Sequence, residues 1–231
     1  MQTLLDALRN ALHLVVSLDA NVVEYAGRSL LVAVMATLAA SLVGVPLGMF
    51  LAERSFPGHR AVVTLLNTLL ALPTVVVGLV IYALVSREGP LGSLELLFTV
   101  SGVVIGEVVL IVPIVTALTL AAVSRTDRDV RKTALSLGAN RRQVLWIVFC
   151  ESRFGVLAAV IAAFGRVVSE VGVAMIVGGN VDHFTRTMTT AVVLNLDMGN
   201  FALALALGIV LLAISLTANV LLQYLQGGSQ G

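Results

Sequence analysis

The sequence predicts an all-α integral membrane protein, and three observations carry that reading. Its 231 residues are 58% hydrophobic and 12% charged, with a mean hydropathy of +1.03, whereas a soluble domain carries about 25% charged residues. Five apolar stretches exceed about 20 residues, the length at which a helix rising about 1.5 Å per residue crosses a bilayer. Alternating runs of about ten residues, the signature of a transmembrane barrel, are absent from the sequence. The whole chain, 1–231, reads as a single transmembrane domain.

The elements follow in order. Residues 1–18 repeat Leu4, Leu5, Leu8, Leu12, Val15 and Val16 at helical spacing, with Asp6, Arg9, Asn10, His13 and Ser17 on the other side. This is an amphipathic helix too polar to cross, expected in the interface or packed on the bundle. The spans are expected at 29–52, 61–85, 102–123, 156–178 and 201–222. Gly44, Pro46 and Gly48 fall in the first, Pro73 in the second and Pro113 in the third, where proline kinks a helix for packing or for hinging. Gly165 and Gly172 lie seven apart in the fourth, and small residues at Ala202, Ala204, Ala206 and Gly208 suit close packing in the fifth. The 179–200 segment is polar enough to lie outside the hydrocarbon, either as a plain turn with solvated hydroxyls or as a donor-rich loop.

Lysine and arginine in short loops set orientation. Seven of the fourteen basic residues fall in 124–153: Arg125, Arg128, Arg131, Lys132, Arg141, Arg142 and Arg153. That loop should be cytoplasmic, with the turn holding Arg54 and Arg60, while the loops holding Arg87 and Arg186 face outward. The N-terminus then lies outside and the C-terminus in the cytoplasm.

Several classes are excluded. A net charge of +1 is too small for a nucleic-acid partner. Cys150 is alone, so no intrachain disulfide forms. Asp6, Arg9 and His13 interrupt the N-terminal leucines, against a secretory signal peptide. His13, His59 and His183 are scattered and no GxxxxGK[ST] phosphate loop is present. No catalytic, cofactor or metal constellation is expected, and any ATP hydrolysis belongs to another polypeptide.

The basic loop has an order that positive-inside bias does not explain. Apolar and charged residues alternate at helical spacing through Val130, Ala134 and Leu137; Gly138 follows where a left-handed turn is cheapest, and Asn140 can cap a second helix from Arg141. The result is either a rigid helix–glycine–helix knob or a mere intracellular loop. The stretch resembles the "EAA" loop of ABC importer permeases, Glu-Ala-Ala, three residues, Gly, nine residues, Ile-x-Leu-Pro. Ala134 and Gly138 match, Val148 is conservative, and Lys132 and Glu151 replace the glutamate and proline. The resemblance implies a coupling helix docking in a cleft of an ATP-binding subunit through Ala134, Leu135, Leu137, Gly138, Ala139 and Asn140, flanked by Arg141 and Arg142.

Three ionisable residues fall inside expected spans: Glu107, Arg166 and Glu170. Each costs roughly 2.5–3.5 kcal/mol near a helix centre, so each calls for a partner or a polar cavity. Arg166 and Glu170 lie four apart and share a face with Ser169. They read as a self-neutralising pair, as a pore face for an anion, or as both. A tetrahedral oxyanion wants hydrogen-bond donors and fixed positive charge; Gly178, Gly179, Asn180, Thr185, Arg186, Thr187, Thr189 and Thr190 could supply them. The run "SEVGVAMIVGGNV" followed by "TRTMTTAV" is similar to the sulfate–molybdate–tungstate branch of these permeases over 164–193, and most like its tungstate members. That resemblance implies the five-helix type I importer (MetI-like) fold plus an N-terminal amphipathic helix. It also implies a translocation path including Arg166, Ser169, Glu170 and Asn180. The partners would be a second copy of the chain, two copies of an ATP-binding subunit and an extracytoplasmic oxyanion-binding protein, in the inner (cytoplasmic) membrane. Molybdate or sulfate cargo, a proton-coupled secondary transporter and a membrane scaffold are the rival readings.

Overall fold

A computed structural model of the protein describes residues 4–54, 56–126 and 128–227, and is all-helical apart from its connections. The helices are α1 (Leu4–Val16), α2 (Ala20–Glu53), α3 (His59–Leu69), α4 (Thr74–Val85), α5 (Val100–Ser124), α6 (Arg128–Ser136), α7 (Arg141–Val168), α8 (Gly172–Gly178), α9 (Met188–Asp197) and α10 (Phe201–Gly227). Among the described residues α2, α5, α7 and α10 are each long and apolar enough to cross a membrane, and α3 with α4 makes a fifth, broken span.

The first span starts nine residues earlier than expected. Asp19 caps α2, accepting from the Asn21 and Val22 amides at 3.0 and 3.4 Å, which satisfies two of the donors every helix start leaves orphaned. Glu24 and Arg28, which argue against hydrocarbon when read singly, pair at 2.8 Å one turn apart. Pro46 and Pro113 sit inside continuous helices. Gly44 and Gly48 serve packing: a Cβ there would lie 2.8 Å from Val115 Cβ and 2.7 Å from the Thr116 carbonyl, so α2 and α5 are pressed backbone to side chain.

The second span is not one helix. α3 and α4 meet at 99° across Leu70–Pro73. Pro73 (φ −62°, ψ 125°) opens α4; it has no N–H to continue α3, and its ring drives the preceding residue out of the helical region.

The fourth span also needs correcting. α7 starts in the basic loop and runs 28 residues to Val168, and α8 is separate. Ser169 caps α7, its hydroxyl bonding the Gly165 and Arg166 carbonyls at 3.0 and 3.1 Å. α8 packs on α4 through Gly172 and Gly78: a Cβ on Gly172 would come 2.7 Å from Thr74 Oγ1. The two broken spans thus meet at their breaks. Gly165 has open space around it and makes no such contact.

Residues 179–200 are not a solvated turn. They hold α9, capped by Thr187 and Thr190 in a reciprocal capping box, and Thr185, Thr187, Thr189 and Thr190 are all buried. α1 packs on α10 through Ala7 and Ala11, while Leu5, Leu8, Leu12 and Val16 of the expected apolar stripe point outward. Outward leucines such as Leu42 and Leu212 extend this greasy exterior, consistent with lipid as the surrounding solvent.

Candidate functional site

The basic loop is a built knob. α6 ends at Ser136; Leu137, Gly138 and Ala139 donate amides back to Thr133, Leu135 and Ala134 carbonyls, and Gly138 takes φ +81°. Asn140 then caps α7 with a reciprocal bond to Gln143, 3.0 and 2.7 Å. Ala134 is buried against Val123, Val144, Val148 and Val156, and Ala139 packs on the same cluster. Ala134 anchors the knob from within, while half-buried Ala139 both packs on that base and lines the groove beside the tip. Leu135, Gly138, Asn140 and Arg142 are exposed, and Leu137 is 82% exposed, so a leucine is held out at the tip. Arg141 opens α7, and its side chain lies outside the described residues. Between the tip and α7 runs an open groove of about 560 Å³ floored by Gly138 and Asn140 and walled by Arg142, Gln143 and Trp146. Trp146, 65% exposed, belongs to this face, though the expected set stops at Arg142. Its signal was available: Arg142 and Trp146 lie four apart on a helix whose start Asn140 fixes.

A second site lies at the α7–α8 break. Arg166 Nη1 meets Glu170 Oε2 at 2.6 Å. The other Glu170 oxygen accepts the Gly172 amide at 2.7 Å, so this carboxylate neutralises a guanidinium and caps α8 together. Glu170 is buried, whereas the Arg166 side chain is 39% exposed. A guanidinium has five donors, and Glu170 is the partner recorded for Arg166 among the described residues. Thr189 Oγ1 donates to the Glu170 carbonyl at 2.7 Å, tying α9 to the break. Glu107 of α5 is 1% exposed, and its Oε2 has no hydrogen-bond partner among the described residues. It shares a void of about 10 Å³ with Ser29, Glu170, Thr187 and Thr189.

Asn180 is elsewhere. It sits at φ +50° after Gly179, its side-chain oxygen accepts from Arg186 Nε at 3.2 Å and its carbonyl from Arg186 Nη2 at 3.3 Å. Arg186 also pairs with Asp182 at 2.7 Å and donates to the Tyr25 hydroxyl at 3.1 Å, while that hydroxyl donates to Asp182 at 2.9 Å. Arg28 donates to the Arg186 carbonyl at 3.4 Å, His183 meets Glu24 at 2.8 Å, and Ser29 accepts the Met188 amide at 2.8 Å. Partial desolvation raises the Asp182 carboxyl, but the Tyr25 hydrogen bond and the Arg186 charge lower it by more, leaving it below its ordinary value. The expected oxyanion donor Arg186 is therefore spent holding the 180–187 segment to the start of α2, and Asn180 is held by Arg186 in turn. Only Arg166, Ser169 and Glu170 of the expected path lie together.

Residues 44–228 match the family of binding-protein-dependent transport system inner membrane components. The chain is 35% identical over 226 residues to the tungstate uptake system permease protein TupB of Peptoclostridium acidaminophilum, covering 98% of this chain and 99% of that protein. It is 37% identical over 198 residues to a probable anion ABC transporter permease protein of Haloferax volcanii, covering 84% and 85%. A tungstate permease TupB of Campylobacter jejuni is 40% identical over 164 residues, covering 71% and 69%. These relatives are transport components, not enzymes. A multi-pass bundle with a broken charged span, an outward knob and this match over four-fifths of its length make the chain a member of the binding-protein-dependent transport system inner membrane component family.

Proposed function

We propose that the chain is the permease subunit of an ATP-driven tungstate importer and works as a homodimer. Two ATP-binding subunits engage the α6–α7 knobs, and an extracytoplasmic binding protein delivers cargo at the other end. In this reading the knob end is cytoplasmic, the N-terminus is outside and the C-terminus is inside. The observation that carries it is the knob itself. A leucine held 82% exposed beyond a glycine turn, on a base anchored by Ala134, has the form of a preorganised contact for a protein cleft. Leu137, with Leu135, Gly138, Asn140, Arg142 and Trp146, forms that contact.

Tungstate as cargo follows from the TupB relatives. Arg166 is the positive group of the path. Its charge is neutralised at close range by Glu170, 2.6 Å away, which suits passage better than capture, since a tightly held dianion would not leave. Ser169 is exposed beside it and offers a hydroxyl whose proton is already engaged by α7 carbonyls.

The test is ATP hydrolysis and uptake in liposomes holding the permease and its ATPase, with binding protein loaded with tungstate, molybdate or sulfate. Stimulation by tungstate above the others supports the cargo assignment, and equal stimulation moves selectivity to the binding protein. Absence of any ATPase from the purified complex, with uptake driven by a proton gradient, overturns the importer reading.

A further inference from the structure

α3 buries none of its residues. Val63, Leu66 and Leu69 are half-buried, and α5 is the helix that α3 packs on; Val62 and Leu65 carry that apolar surface outward. The opposite side is polar. Arg60, Thr64, Asn67 and Thr68 stand at i, i+4, i+7 and i+8, which is one face of a helix, and all four are exposed. The Thr68 hydroxyl donates back to the Thr64 carbonyl at 2.9 Å. The Asn67 carboxamide, with two donors and an acceptor, has no hydrogen-bond partner among the described residues. On a half-span such groups need water or a polar neighbour, because lipid offers neither donor nor acceptor.

Contacts fix where this stripe begins and ends. His59 Nε2 donates to the Leu51 carbonyl at 2.8 Å in the last turn of α2, and Glu53 of that turn meets Arg131 of α6 at 2.7 Å, so α3 starts at the knob end of the molecule. Its other end runs through Leu70–Pro73 to Thr74, against which Gly172 rests at the α7–α8 break. The Gly172 amide is held by Glu170, the partner of Arg166. Ala71, Leu72 and Pro73 on one side of this junction and Ser169 on the other are exposed. The stripe therefore leads from the Arg166–Glu170 break to the knob end along the 11 residues of α3, about 17 Å.

We infer that Arg60, Thr64, Asn67 and Thr68 line the knob-side half of the translocation path, from the break to its mouth. This rests on the reading of Arg166 as the positive group of that path. To a tetrahedral oxyanion the stripe offers neutral donors, the Asn67 amide and the Thr64 hydroxyl, and then one guanidinium, Arg60, at the mouth. Neutral donors in succession hold a dianion weakly enough for it to move on. α3 contains no acidic residue to repel it. Continuity with the break selects this role over two others that a polar face alone would also fit, a helix lying on the membrane surface and a face covered by a second copy of the chain.

The experiment uses the full complex with Cys150, the chain's one cysteine, replaced by serine, and single cysteines introduced as Thr64→Cys, Asn67→Cys and, on the apolar side, Leu65→Cys. Each is labelled in nanodiscs with an anionic, membrane-impermeant methanethiosulfonate, then reconstituted in liposomes for ATP hydrolysis and tungstate uptake. Thr64→Cys and Asn67→Cys should react at least about tenfold faster than Leu65→Cys, which is exposed to lipid and not to water. The anionic label at 64 or 67 should lower uptake per ATP about tenfold, and neutral methyl methanethiosulfonate less than about threefold. Labelling no faster than at Leu65→Cys means lipid or a second copy covers the stripe, and overturns the assignment. Fast labelling with unchanged uptake makes α3 a surface helix and overturns it too, as does equal loss from both reagents. Thr64→Cys, close in size to threonine, decides if Asn67→Cys fails to assemble. An unsubstituted complex that does not take up tungstate with ATP overturns the importer reading itself and is read before any variant.

Discussion

Gly138→Ala isolates what the turn of the knob contributes. Gly138 stands at φ +81°, and a Cβ there would meet nothing within 4 Å. The substitution therefore adds no clash, and its whole effect is the backbone cost of a left-handed L-residue, about 1–2 kcal/mol. If the docked geometry needs that turn, the cost appears in the affinity of the ATPase, which should weaken about five- to thirty-fold. Gly199 is a matched control, at φ +75° with the same open surroundings but at the junction of α9 and α10. Gly199→Ala carries a like backbone cost and should leave ATPase affinity within about twofold. The assay is titration of labelled ATPase subunit onto permease in nanodiscs. Equal weakening by both substitutions, or none by Gly138→Ala, would refute the reasoning, because affinity would then follow overall stability or ignore the turn.

Three further outcomes are expected. Arg166→Ala removes the partner of a buried carboxylate, but Arg166 is 39% exposed and Glu170 keeps the Gly172 amide, so stability should fall by about 1–3 kcal/mol and the α7–α8 break should loosen in detergent melts. Adding Glu170→Gln should restore the melt, and uptake measured in that double variant then reports the role of Arg166 in transport; recovery of full uptake would reduce the pair to a structural device. Tyr25→Phe removes a hydroxyl that bonds two charged groups, but Asp182 and Arg186 keep each other at 2.7 Å; the loss should be about 1–2 kcal/mol in a thermal melt, and an unchanged melt counts against the clamp. Asp182 is depressed below its ordinary value in the folded protein, so its contribution is whole above the unfolded value near 3.8 and fades as pH falls through the folded one. Asp182→Asn should accordingly flatten the acid limb of the stability curve below about pH 4, and identical acid limbs would exclude that role.

The sequence made the spans legible because hydropathy over about 20 residues is a strong signal. It made the knob legible because Gly138 and Asn140 act through their own backbones and neighbours. What it hid depends on partners far along the chain. The Glu24–Arg28 pairing, one turn into α2, is invisible to a hydropathy sum. Ser169–Val171 looked helical because each residue tolerates a helix; the break is set by Glu170 capping α8 and by Thr189 reaching in from nineteen residues on. For the threonines of 185–190 both a solvated turn and a donor-rich loop stayed open, because a hydroxyl satisfied by a buried carbonyl and one satisfied by water are the same letter. Asn180 and Arg186 suggested anion donors for the same reason, and the structure spends Arg186 on Tyr25, Asp182 and Asn180 itself. Pro73 is the exception, because the break it makes follows from its own local stereochemistry.

The broken spans also bear on how the chain is made. α3 and α4 have 11 and 12 residues, about 17 and 18 Å, against a hydrocarbon core of about 30 Å. Neither crosses alone, and α4 finds its packing partner, α8, only roughly ninety residues later, several seconds of synthesis at about 5–20 residues per second. Through that interval the Thr74 end of α4 has no Gly172 to rest on. Biogenesis of this protein therefore includes a waiting period in which a half-span must be sheltered, by the insertion machinery or by α5, until the second half-span emerges to complete it.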